Sequence, residues 1–246
     1  MTIGHDRSAC PRDLSTKKGK DEKMKIMDDA LIRDAVIRRL ERDSRVDASQ
    51  IAVDVQQGTV TLKGDVPTYL GRSAAGECAR GILGVMRLRN DLLVNYPPAR
   101  RVPSDGTLAE NVRNRLDKNP DLDLLNMEVT VKDGVVTLKG TVDAYWKKLY
   151  AEELTATEGG VRGIENHMAV VPTEDIMDKA IADGIIDTFE SEGTADVADI
   201  DVTVKDGHVT LSGTVPGWGT HRAVCETVYY TSGVTSFTNN LEIGSV

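Results

Sequence analysis

The sequence predicts an α+β fold of three tandem two-layer sandwiches, each running helix, strand, strand, helix, strand. Three observations carry that reading. The pattern IAVDVQQGTVTLKGDV from Ile51 returns as MEVTVKDGVVTLKGTV from Met127 and IDVTVKDGHVTLSGTV from Ile200, at offsets of 76 and then 73 residues. Apolar residues keep a helical period ahead of each copy and an alternating one within it. The composition, 40% hydrophobic but only 4% aromatic over 246 residues, suits several small cores of Val, Ile, Leu and Ala better than one large core built on rings.

Each unit opens with a helix whose apolar residues recur at i, i+4 and i+8. They are Ile32, Val36 and Leu40 in the first, Leu108, Val112 and Leu116 in the second, and Ile181, Ile185 and Phe189 in the third. A hairpin follows. Val129, Val131, Val136 and Leu138 alternate with Thr130, Lys132, Thr137 and Lys139, which gives one buried face, as do Val53, Val55, Val60 and Leu62, and Val202, Val204, Val209 and Leu211. Gly58, Gly134 and Gly207 supply the positive φ of the tight turn. A second glycine stands six residues later, at Gly64, Gly140 and Gly213.

The second helix contains Ala74, Ala75 and Cys78, or Tyr150, Ala151 and Leu154, or Ala223, Val224 and Thr227. A Gly-Val pair ends the connection at Gly84, Gly160 and Gly233, and an Asn follows five residues after the Val, at Asn90, Asn166 and Asn239. The last strand puts Leu92 and Val94, Met168 and Val170, or Leu241 and Ile243 on one face. Two helices must then cover a three-stranded sheet. The resulting organisation is a polar, disordered leader over 1–27, units at 28–96, 105–171 and 172–246, and a Pro-containing basic linker over 97–104.

Net charge is −9, and it is unevenly spread. The leader has 7 basic against 4 acidic residues, while residues 173–246 have 3 against 13. A body this acidic repels nucleic acid, so no nucleic-acid partner is expected, and anionic lipid would have to be met by the first two units. No apolar stretch reaches the roughly 18 to 20 residues of a membrane-spanning helix. The first residues lack the apolar run of a secretory signal, and Ser8-Ala9-Cys10 has no lipoprotein context, so the expected location is the cytoplasm, with peripheral membrane contact at most. Three cysteines, at 10, 78 and 225, form neither a disulfide framework nor a metal spacing.

The joint pattern V-x-V-x-x-G-x-V-T-L-x-G-x-V and G-V-x(4)-N-x-L/M-x-V/I resembles the BON domain, named for bacterial OsmY and nodulation proteins, three times over. The resemblance implies a non-catalytic binding module linked to osmotic or envelope stress, to phospholipid surfaces, or to transport assemblies.

Motifs for chemistry are weak. Leu138-Lys139-Gly140-Thr141 is like the end of a phosphate loop, but no Gly-x(4)-Gly-Lys precedes it. Gly159 to Gly163 leads into a strand rather than opening a helix, so it is no dinucleotide fingerprint. His221 and Cys225 stand four apart with no third ligand, and read as a surface His and a partly buried Cys. Glu190, Glu192, Asp196, Asp199 and Asp201 read as a solvated loop. No catalytic residue, metal or cofactor is expected.

The positions that stand out are Tyr69, Tyr145 and Trp218, five residues after the second glycine of each unit and joined in the second by Trp146. Each ring is expected either to cap the edge of a small core or to lie exposed beside cations, able to meet lipid or another copy. The cations are Arg72 and Arg80 in the first unit and Lys147 and Lys148 in the second. The expected function is a non-enzymatic, stress-linked binding or scaffolding protein. The competing expectation is a self-associating component of a transport assembly, acting as a homo-oligomer.

Overall fold

The computed structural model describes residues 28–97, 102–173, 176–192 and 200–244. The expected leader and the middle of the expected linker lie outside these residues. Unit 1 contains α1 (Asp29–Arg42), β1 (Ile51–Gln56), β2 (Thr59–Val66), α2 (Tyr69–Arg80) and β3 (Arg87–Val94). Unit 2 contains α3 (Asp105–Asp117), β4 (Met127–Lys132), β5 (Val135–Val142), α4 (Tyr145–Ala156), β6 (Gly163–Asn166) and β7 (Ala169–Val170). Unit 3 contains α5 (Asp178–Glu192), β8 (Ile200–Lys205), β9 (His208–Val215), α6 (Trp218–Tyr230) and β10 (Ser236–Ile243). The α+β fold of three helix, strand, strand, helix, strand units is as the sequence indicated.

In every unit the second strand is central. It pairs antiparallel with the first strand and parallel with the last, as in Val53 opposite Leu62 and Leu62 opposite Asn90. The two helices pack together and cover one face. The helical stripes Ile32/Val36/Leu40, Leu108/Val112/Leu116 and Ile181/Ile185/Phe189 are at most 1% exposed and meet Val60 and Leu62, Val136 and Leu138, and Val209 and Leu211. Burying each such side chain stabilises its unit by about 1.5–3 kcal/mol, and each of the three cores is built on its own stripe.

Each hairpin closes in two residues with both at positive φ: Gln57 (50°) and Gly58 (70°), Asp133 (53°) and Gly134 (80°), Asp206 (52°) and Gly207 (72°). That is the type I′ geometry, whose twist matches the strands it joins. Gly140 answers to a tighter constraint. At φ 119° a Cβ on it would stand 1.9 Å from the Asn126 carbonyl oxygen, so only glycine lets β5 pass the chain entering β4.

Three details differ from the sequence reading. The last strand of unit 2 is interrupted between Asn166 and Ala169, although the His167 N–H still donates to the Leu138 carbonyl at 2.8 Å. The acidic run is not one loop: Glu190 and Glu192 belong to α5 and Asp201 to β8, because the apolar stripe carries the helix beyond Phe189. Asp196 and Asp199 lie outside the described residues. The expected linker enters the packing at both ends. Tyr96 is 8% exposed, and Ser104 accepts from the Thr107 N–H at 3.3 Å to cap α3.

Candidate functional site

Tyr69, Tyr145 and Trp218 are the first residues of α2, α4 and α6, at the corner where each hairpin leaves its sheet. The corner turns each ring away from its own unit. Tyr69 packs against the core of unit 2, Tyr145 against that of unit 3, and Trp218 against that of unit 1. The three contacts run head to tail and close on themselves, so the units form a cycle within one chain. Each ring caps the edge of a core, and that core belongs to the next unit.

The joints are chemically distinct. At the joint of units 3 and 1 the Trp218 indole N–H donates to the Val85 carbonyl at 2.8 Å, and the Arg80 guanidinium lies 5.6 Å from the ring centroid. At the joint of units 2 and 3, α4 packs on α6, with Tyr145 5.7 Å from Tyr229, which in turn meets Phe237 edge-on at 5.6 Å. Burial, with the Glu152 carboxylate nearby, pushes the phenols of Tyr69 and Tyr145 up. At the joint of units 1 and 2 the Tyr96 hydroxyl accepts from the Gly160 N–H at 2.8 Å and donates to the Val161 carbonyl at 3.1 Å. Val161 is the counterpart of Val85 under the 76-residue offset. One carbonyl position is thus satisfied by a tyrosine in one unit and by an indole in another.

The cations singled out with these rings are largely drawn into the same framework. Arg72 reaches the Asn90 carbonyl at 3.5 Å, and Arg80 faces Trp218. Lys147 pairs with Asp143 at 2.8 Å and lies 5.7 Å from the Trp146 ring. Lys148 holds Asn166 through its carbonyl, at 2.8 Å. Trp146 stacks on Tyr230, which is 70% exposed, with centroids 6.4 Å apart.

Two sets of residues carry the local frame. The carboxylates of Asp29, Asp105 and Asp178, the first residues of α1, α3 and α5, each accept from both N–H groups of the opposing hairpin turn, at 2.8–3.0 Å. They keep the 76 and 73 offsets, the one sign of them in the sequence. The repeated asparagine is the second set. Asn90 and Asn166 donate from Nδ2 to the carbonyls of Arg72 and Lys148, both at 2.8 Å.

Unit 3 departs from this. Asn239 Nδ2 lies 2.9 Å from His221 Nε2 and 3.1 Å from Cys225 Sγ, so it meets side chains where its counterparts meet a helix carbonyl. Burial pushes the Cys225 thiol up to about 11, while burial and Arg80 hold His221 below its usual value. At neutral pH the pair is therefore a thiol and a neutral imidazole, the reverse of the thiolate and imidazolium of a cysteine nucleophile. Among the described residues no group of three or more His, Cys, Asp or Glu stands ready to hold a metal ion.

The family model of the BON domain matches residues 28–96, 104–172 and 177–245, one match for each unit. The chain belongs to the BON domain family. Over 145 residues, 58% of this chain and 72% of the relative, it is 27% identical to osmotically-inducible protein Y of Escherichia coli K12. Among solved structures, CdsD of Chlamydia trachomatis, described as a structural protein of the type III secretion system, aligns over 87% of this chain and 92% of its own at 13% identity, with a TM-score of 0.25. The periplasmic domain of PrgH aligns over 79% and 95% at 13% identity, with a TM-score of 0.20. Scores this low carry no argument for this BON protein. Among its described residues no helix is long and apolar enough to cross a membrane.

Proposed function

We propose that this triple-BON protein is a non-enzymatic, stress-linked scaffold whose three units act as one closed body. The observation that carries this is the head-to-tail seating of Tyr69, Tyr145 and Trp218, each on the core of the next unit. The stress link rests on family membership and on the relative described as osmotically inducible. The thiol and imidazole of unit 3, held in their uncharged forms, support the non-enzymatic part.

A second reading, contact with anionic phospholipid, is favoured by the stack of Trp146 on exposed Tyr230 with the Lys147 ammonium beside the indole. Aromatic rings with neighbouring cations suit a headgroup boundary. Light scattering of the intact chain at low and high salt, together with flotation on vesicles of graded anionic content, separates these readings. The scaffold reading expects a monomer at every salt concentration and little vesicle binding. Flotation that rises with anionic lipid and falls for Trp146→Ala supports the second. Oligomers that dissolve as salt rises would favour instead a self-associating part of a transport assembly, held by the acidic third unit. Cell fractionation tests the cytoplasmic placement that goes with the proposal, and recovery in an osmotic-shock fraction contradicts it.

A further inference from the structure

The joint of units 3 and 1 is the one closure of the cycle that no linker backs, since unit 1 continues into unit 2 and unit 2 into unit 3. Trp218 makes this joint, and His221, one turn along α6, lies against its ring with centroids 4.8 Å apart. His221 is also where unit 3 breaks the asparagine pattern of the other two. Asn239 Oδ1 accepts from the Leu241 N–H at 2.9 Å, so Nδ2 is the atom turned toward His221, and a donor there requires His221 Nε2 to accept. An accepting Nε2 exists only in the neutral ring.

We propose that this joint is an acid-opened clasp: His221 must be uncharged for Trp218 to remain seated on unit 1, and its protonation releases unit 3 from unit 1. Protonation would set a Nε2–H against the Asn239 amide, and rotating the amide to answer it would cost the bond from Leu241. It would also place a cation opposite Arg80, which faces the same indole from α2. The surrounding groups do little to offset that charge. On α6 itself Arg222 is paired with Glu226 at 3.0 Å, and Cys225 is a thiol at neutral pH. From β10 the facing group is the uncharged Asn239.

The direction follows from linkage. The closed state lowers the affinity of His221 for a proton, so closure is fully favoured above the ordinary histidine value of 6.5 and weakens as pH falls below it. One linked proton limits the change to about tenfold in the opening equilibrium per pH unit. The relevant window lies above the carboxylate range of about 4, so general acid unfolding is separate from it.

The clasp rests on the closed-body reading, and the two fail differently. With Trp146→Phe in the full chain, Trp218 is the single indole of a protein that has two Trp. Its emission and the radius of gyration by small-angle scattering are followed from pH 8 to pH 5.5. An expanded chain with a solvated indole already at pH 8 sinks the closed body itself. A compact chain at pH 8 that shows red-shifted emission and expansion below pH 6.5, with both responses abolished by His221→Gln, is the result expected. A compact chain unchanged down to pH 5.5, or one in which His221→Gln responds equally, overturns the clasp. Should His221→Gln stand open at pH 8, the imidazole titration of the unsubstituted chain by NMR decides. A midpoint below 6.5 that tracks opening supports the clasp, and a midpoint at or above 6.5 overturns it.

Discussion

Asp29, Asp105 and Asp178 hold their hairpin turns at bond lengths that agree within 0.1 Å from unit to unit, whereas the joints between units differ in donor and in ring pair even where two of them use the same carbonyl position, Val85 and Val161. The frame inside a unit is made of residues the repeat keeps. The rings and donors at the joints are residues it changes: Tyr at 69 and 145 but Trp at 218, and Tyr96 where the offsets lead to Pro172 and Ser245. A repeated residue answers to a backbone demand that every copy makes. A residue that differs answers to its neighbour, and here each unit has a different one.

The heaviest loss of stability should come from inside a unit. Gly140→Val puts side-chain atoms where even a Cβ would sit 1.9 Å from the Asn126 oxygen, and should cost at least about 3 kcal/mol by urea titration, enough to unfold unit 2. A stable variant would mean that the strand crossing is misplaced. Asp105→Ala removes two charge-assisted bonds to the turn and should cost about 2 kcal/mol, with Asp29→Ala and Asp178→Ala costing similar amounts in their own units. Unequal costs among the three would break the contrast between uniform frame and varied joints. Tyr96→Phe removes one hydroxyl bridge from a joint and should cost about 1 kcal/mol, against less than about 0.5 kcal/mol for the exposed Lys132→Ala.

The fold was legible because its determinants are local and periodic. Val129, Val131, Val136 and Leu138 fix the face of a hairpin by alternation alone, and Leu108, Val112 and Leu116 fix a helix by spacing. The carboxylate clamp was legible in principle, since its three Asp keep the offsets, but a lone Asp at a helix start reads as a response to the helix dipole. The site was half legible. Tyr69, Tyr145 and Trp218 stood out by position and size, yet periodicity says which face of an element is buried and nothing about which unit buries it. Tyr96 carried no signal, because a tyrosine ahead of two prolines reads as the start of a linker. His221 and Cys225 are visible in the sequence as a pair four residues apart. What completes them, Asn239, lies 14 residues beyond Cys225 and is brought in by the sheet.

Closure of the three units on one another within one chain can be tested by cutting the chain between units 1 and 2. A protease site placed within residues 98–101 leaves Tyr69 and Tyr96 on the first fragment and Trp218 on the second. After cleavage at pH 8 the fragments should elute together as a one-to-one complex, because both joints made by unit 1 persist without the peptide bond. Two fragments that elute separately at micromolar concentration would contradict the closed body.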